Sequence, residues 1–297
     1  MAIRLRIRQF PHYQTKRKRL VDESHIIKTV IGYDGTFPGF LCAVHYSGVL
    51  DKESGIQKEN LPVIISNGSR QPLLFAPDHS VVTDIESARE TYVGLRRIIG
   101  HPGVSLLHRS FLFFDGPETG DNSQVSKEGA GRESLLVDYI LRGMQYGYRI
   151  CHTLGDPVVR KVNRFATAVE RELNRFLGIL RFSETAEGLL RADCSPRYNI
   201  LPLMVRHFSL RMENFHWLIV DCQRGFGLFH FPGDPVPREL PTMEDVKSFC
   251  PESPSAETYP ALWKQYFKTM EIRERKNSIC QRNFIPLRDR TYMTEFL

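Results

Sequence analysis

The sequence predicts an α+β protein. It has a mostly helical N-terminal half, followed by an antiparallel sheet of two hairpins flanking a helix, with packing helices around them. Three observations predict it. Amphipathic stretches at helical spacing recur between residues 83 and 176. Two pairs of short apolar runs, 177–182 with 189–193 and 217–222 with 226–231, are each joined by turn residues. A helical segment over 200–212 separates the pairs, so the order is strand, strand, helix, strand, strand.

Taken in order, residues 1–24 read as a flexible basic arm. Arg4, Arg6, Arg8, Lys16, Arg17, Lys18 and Arg19 occur in the first 20 residues with no acid, which accounts for most of the +6 net charge. MAIRLRIRQF lacks an uninterrupted apolar stretch, so export is not expected. A mainly helical subdomain is expected over 25–114. His25–Ile31 reads as a strand running into the turn Tyr33-Asp34-Gly35, and Thr36 caps a helix that carries Pro38 in its first turn. Phe37, Phe40, Leu41 and Val44 share a face of that helix, and Gly48 ends it. Residues 51–60 are polar and read as loop. Thr83-Asp84-Ile85-Glu86 has the form of a capping box, with a helix behind it that stops at Gly100, and Ser105–Phe114 reads as another helix.

Residues 115–131 are acidic and Gly-rich, a loop or a seam between two units, and 132–297 is read as a C-terminal α+β domain. Its first helix runs from Arg132 to about Cys151. Asp156 as cap and Pro157 at the first helical position start a second, to about Phe176. Val158, Val162, Phe165, Val169, Leu173 and Phe176 form the apolar stripe of that helix. Arg160, Arg164, Arg171 and Arg175 cluster opposite, either as a solvated face or as a ridge against phosphates. After the two hairpins, 232–257 is a Pro-rich linker with a short helix. Pro260–Met270 is an amphipathic helix expected to turn Trp263, Tyr266, Phe267 and Met270 inward, and the last 27 residues are basic and mostly irregular.

Several chemistries have no support. The chain contains no GxxxxGK[ST], GxGxxG, HExxH or GxSxG. No two of the six cysteines lie closer than 28 residues, so neither a local zinc site nor an iron–sulfur run is expected, and no metal or cofactor is assigned. The thiols are expected to be reduced, in a cytoplasmic protein without a membrane span.

Three constellations remain. Asp34, in Tyr33-Asp34-Gly35-Thr36-Phe37, either presents a carboxylate to a ligand or caps its own corner. His207 and Arg211 share a helix face near Asp221 and Arg224. Here Asp221 either orients His207 as a general base or pairs with an arginine, and no nucleophile is supplied. The tail offers Arg273, Arg275, Asn277, Gln281 and Arg282, residue types that contact phosphates and base edges, with Tyr266, Phe267, Phe284 and Tyr292 nearby for stacking.

The segments YDGTFPGFLCAVHYS, HTLGDPVVRKVNRFATAVERELNRFLGILRF, YNILPLMVRHFSLRM, HWLIVDCQRGFGLFHF and ALWKQYFKTMEIRERKNSICQRNFIP occur in this order. Together they resemble the bacterial family named probable DNA metabolism protein, over about residues 25–297. The C-terminal half of that family is a domain of unknown function. The resemblance implies a role in DNA repair or modification beside a radical-SAM enzyme, and some members are fused to a uracil-DNA glycosylase-like domain that this chain lacks. The arm 1–24 lies outside the resemblance, and the ending Ile285–Phe296 lacks the Tyr-Trp stretch expected there.

The expectation is therefore a DNA-binding accessory protein of a radical-SAM enzyme, holding DNA through Arg164, Arg171, Arg175, Arg224 and the tail residues. One alternative is an enzyme acting on a damaged or modified base through Asp34 or the His207/Asp221 pair. The other is a protein–protein scaffold that does not touch nucleic acid.

Overall fold

The computed structural model describes residues 30–50, 62–66, 79–114, 131–185, 187–234, 236–250 and 258–296. The basic arm, the start of the first expected strand, the loop 51–60, the seam at 115–130 and the end of the Pro-rich linker lie outside the described residues. The elements are β1 (Val30–Tyr33), α1 (Phe37–Tyr46), β2 (Val63–Ser66), β3 (His79–Ser80), α2 (Ile85–Phe113), α3 (Arg132–Tyr146), α4 (Pro157–Ile179), β4 (Ser183–Glu184), β5 (Leu190–Cys194), α5 (Leu201–Arg211), β6 (Trp217–Asp221), β7 (Phe226–His230), β8 (Arg238–Leu240), α6 (Met243–Phe249), α7 (Thr258–Met270), α8 (Ser278–Phe284) and α9 (Leu287–Arg290). A six-residue 3-10 segment, Gly147–His152, follows α3, and single 3-10 turns follow α7 and α9. The mixed helix-and-sheet class is as the sequence implies.

Two sheets form. The first, order β2-β1-β3, is entirely parallel and was not foreseen, because strands of two to four residues carry too little periodicity to be read. The second, order β4-β5-β6-β7-β8, corrects the expected antiparallel arrangement. β6 and β7 form the expected hairpin, but β5 and β6 pair in parallel. Parallel neighbours need a crossover, and α5 is that crossover rather than a helix between two independent hairpins. The first hairpin shrinks to β4 and β5, because Leu177–Ile179 remain in α4.

Local signals act as sequence chemistry dictates, with two adjustments. Thr36 caps α1, accepting from the Gly39 amide, and Asp156 caps α4, accepting from Val158 and Val159. The cap of α2 is Asp84, which accepts from Ser87, and not Thr83. Two helices do meet at Gly100, whose backbone is not helical, and the second begins earlier than Ser105. Gly100 sits at φ 74°, where only glycine is unstrained, and Pro102 opens the second half, where its missing N–H costs nothing.

One hydrophobic core joins the two halves of the sequence. It includes Ile31 and Phe40 from the first sheet and α1, Leu107 and Phe111 from α2, Val162 and Phe165 from α4, and Trp217 and Ile219 from β6. Strand β6 is buried on both faces. Trp217 and Ile219 face that core, while Leu218 and Val220 face a smaller cluster completed by Phe229, Val246 and Cys250 under α6. Tyr33 fastens the halves further. Its hydroxyl donates to Glu133 at 2.9 Å and accepts from Arg132 at 2.7 Å, and Arg132 lies over the Phe111 ring.

The expectation for α7 is overturned. Residues 261–270 are exposed throughout, including Trp263, Tyr266, Phe267 and Met270. The described residues that meet this helix include Arg181, over Trp263, and the closing 3-10 turn Thr294–Phe296, which together are too small to cover an apolar stripe. Among the described residues, no helix is long and apolar enough to cross a membrane.

Candidate functional site

Asp34 closes a corner. It lies at the C-terminal end of β1, the middle strand of the parallel sheet. It accepts hydrogen bonds from the Thr36 amide at 2.9 Å, the Thr36 hydroxyl at 2.7 Å and the Thr83 hydroxyl at 2.7 Å. Partial burial pushes the carboxyl up, but these bonds outweigh it and hold it below the ordinary aspartate value. The corner is dense, since a Cβ on Gly39 would overlap Asp34 Oδ1 and approach Thr83 Oγ1 to 2.7 Å. Thr83 therefore ties the start of α2 to the turn before α1.

The structure does not bring His207 and Asp221 together as an acid–base pair. Asp221 is fully buried and accepts from the Gln223 and Arg224 amides, and Arg224 Nη1 reaches its other oxygen at 2.7 Å. Arg224 also donates to the carbonyls of Pro196 and Arg197. The pair is a brace across the ends of β5 and β6. His207, on α5, has no partner for Nε2 and stands edge-on to Phe208. The nearby Cys222 thiol is pushed up by burial and by Asp193, which opposes thiolate formation.

The arginines of α4 divide into two sets. Arg175 faces inward, bonding Glu172 at 3.1 Å and lying 3.5 Å from Asp289. Glu172 is buried and also accepts from the amides of Arg197 and Tyr198 and from Arg288. Arg175 and Arg224 thus hold the fold together, their guanidinium groups engaged by internal carboxylates. Arg160, Arg164 and Arg171 point to solvent. The acids of this helix do not neutralise them, because Glu172 is internal and Glu170 pairs with Arg109 at 3.3 Å.

In the tail, Asn277 caps α8 by accepting from the Cys280 amide, so its side chain serves the helix. Arg275 and Arg282 are exposed and Gln281 is half-buried. Arg273 lies in the 3-10 turn Arg273–Arg275, and its side chain falls outside the described residues.

Arg181 and Glu295 were missed. Arg181 donates to both oxygens of Glu295, at 2.7 and 3.3 Å, and its guanidinium lies 5.5 Å from the centre of the Trp263 ring. The Trp263 indole N–H donates to the same carboxylate at 3.1 Å. Burial raises the Glu295 carboxyl, but these bonds prevail and keep it below the usual glutamate value. A separation of 114 residues hides such a pair from any local pattern.

All six cysteines are free thiols, and among the described residues no group of three or more His, Cys, Asp or Glu side chains is placed to hold a metal ion. No curated protein and no solved structure matches the chain. A family model does match residues 130–295, from the entrance of α3 to the last 3-10 turn, and its description is a domain of unknown function, DUF4130. That match takes in more than half of the chain, and the protein belongs to the DUF4130 family.

Proposed function

We propose that this protein is a DNA-binding accessory protein that serves a radical-SAM enzyme of DNA repair or modification, with the outer face of α4 as the seat of the DNA backbone. The observation that carries the reading is the solvent-facing set Arg160, Arg164 and Arg171, on one side of a 23-residue helix whose acids are internal or paired. Residues 160 to 171 span about 16 Å of helix axis, so the three cations form a row rather than a point. Cations held in a row on a rigid element can take successive phosphates and release the counterions condensed there. The seven basic residues of the first 20 add a non-specific attraction of the same sign. The radical-SAM partner rests on the family resemblance of the ordered motifs.

The test is fluorescence anisotropy of labelled single-stranded, duplex and lesion-bearing DNA over a range of salt. Affinity is expected to fall steeply with salt. Arg164→Ala combined with Arg171→Ala is expected to flatten the log–log slope by roughly 1.5, as for two lost phosphate contacts. Absence of binding to all three at low salt would overturn the reading.

A further inference from the structure

We infer that the surface around Trp263 is a stacking platform for unpaired bases, and that the DNA bound by this protein is single-stranded, its backbone lying along α4 and its bases meeting α7. This rests on the DNA-binding reading above and names the form of DNA it takes.

The geometry begins with helical arithmetic. Arg160 and Gly178 are 18 residues apart, five full turns, so they lie on one line about 27 Å long, with Arg164 and Arg171 within roughly 40° of it. At the end of that line, Arg181 Nη1 donates to the Gly178 carbonyl at 3.2 Å, and the same guanidinium covers the Trp263 ring. The line that carries the three cations therefore ends beside an aromatic ring.

That ring is held in place. Arg181 stands over it, and Glu295 binds both Arg181 and the indole N–H. Trp263 is nevertheless 38% exposed, and Tyr266, 5.6 Å away at an interplanar angle of 30°, is 54% exposed. Lys264 and Lys268 are exposed on the same helix. Part-exposed aromatic side chains beside exposed cations match a ligand that is anionic along its backbone and flat along its bases. Because the indole is already fixed, stacking on it costs little further side-chain entropy. A duplex keeps its base faces stacked on one another and has none to offer, so the platform distinguishes unpaired from paired DNA. An apolar protein surface would fit the rings but not the row of arginines that leads to them.

The protein carries its own probe. Trp217 is fully buried, so a ligand at the surface acts on Trp263 emission alone. The full chain would be titrated with oligothymidylate of roughly 20 nucleotides, with the matching duplex and with oligouridylate of the same length. The expected result is quenching by oligothymidylate, with affinity at least tenfold above that for duplex at equal salt. Trp263→Ala should weaken oligothymidylate by roughly tenfold and leave duplex binding unchanged, consistent with one lost stacked base. Trp263→Phe keeps a ring and should retain most of the affinity. It and the wild-type quenching decide the matter if the alanine variant misfolds.

Duplex bound as tightly as single strand, with no quenching, would overturn this inference while leaving the α4 interface standing, provided that binding still depends on Arg164 and Arg171. Preference for oligouridylate would overturn the assignment to DNA. A blue shift of Trp263 with doubling of mass at rising protein concentration would assign the patch to a second copy and overturn it too. No binding to any strand would remove both readings.

Discussion

Arg181 and Glu295 form a two-pronged ion pair across 114 residues, with Nη2–Oε1 at 2.7 Å and Nε–Oε2 at 3.3 Å, and the Glu295 side chain is only 2% exposed. The pair joins the end of α4 to the final 3-10 turn and shares its carboxylate with Trp263. Removing Arg181 strands a buried carboxylate, whereas removing both partners does not. Arg181→Ala should cost about 2 kcal/mol, allowing for its partial exposure, and the double variant Arg181→Ala, Glu295→Ala should cost less than the sum of the singles. Urea unfolding of the four proteins in a double-mutant cycle measures the coupling, and additivity would show that the contact contributes nothing.

Glu172 collects four donors from three segments: the Arg197 and Tyr198 amides and the guanidinium groups of Arg175 and Arg288. Glu172→Ala leaves two backbone N–H groups without their acceptor, and a loss of about 3 kcal/mol is expected. Arg175→Ala should likewise lower stability, while its neighbour on the outer face, Arg171→Ala, should leave the unfolding midpoint within about 0.5 kcal/mol of wild type. Equal stability of Arg175→Ala and Arg171→Ala would contradict the division of the α4 arginines into inner and outer sets.

Gly39 is confined by Asp34 and Thr83, and Asp34 cannot retreat without breaking bonds to Thr36 and Thr83. Gly39→Ala should therefore destabilise the protein by about 1–3 kcal/mol, although alanine favours helices elsewhere. Thermal unfolding of this variant beside Gly94→Ala, where a Cβ meets nothing within 4 Å, isolates the steric term. Gly94→Ala is expected to be neutral or stabilising.

His108 packs against Phe37 with ring centres 4.4 Å apart, and burial, with a smaller contribution from Arg109, pushes its pKa down to about 4. Its folded value lies below its ordinary 6.5, so the unfolded chain takes up the proton first as pH falls. Stability from the neutral imidazole is complete above about pH 6.5 and is lost between there and pH 4. A loss of about 3 kcal/mol is expected over that window. His108→Leu should flatten this part of the profile, as measured by urea midpoints at several pH values. An unchanged slope would show that other groups carry it.

Helix ends and amphipathic stripes were legible because they depend on residues three or four positions apart. Thr36 and Asp156 cap the helices they were read to cap, and the apolar stripe from Val162 to Phe176 lies in the core. The β6–β7 hairpin was legible for the same reason, its turn being set by Gln223, Arg224 and Gly225. Thr83 shows the limit of local reading. It has the chemistry of a cap, yet a partner 49 residues away, Asp34, claims its hydroxyl.

By itself, then, the sequence did not determine the short helices α8 and α9 of the tail, but it did determine the mixed helix-and-sheet class, the starts of α1 and α4, the basic stripe on α4 and the absence of recognisable nucleotide, zincin and hydrolase motifs. Each of these is decided by short spacings along the chain. Only the tertiary structure decided that β5 and β6 run parallel, that Arg175 and Arg224 are internal while Arg164 and Arg171 are not, and that the aromatic residues of α7 face outward. The physical reason is that an amphipathic stripe has no preferred direction until a partner surface exists to bury it. Likewise an arginine is a phosphate ligand or an internal brace according to whether a carboxylate such as Glu172 or Asp221 is folded against it.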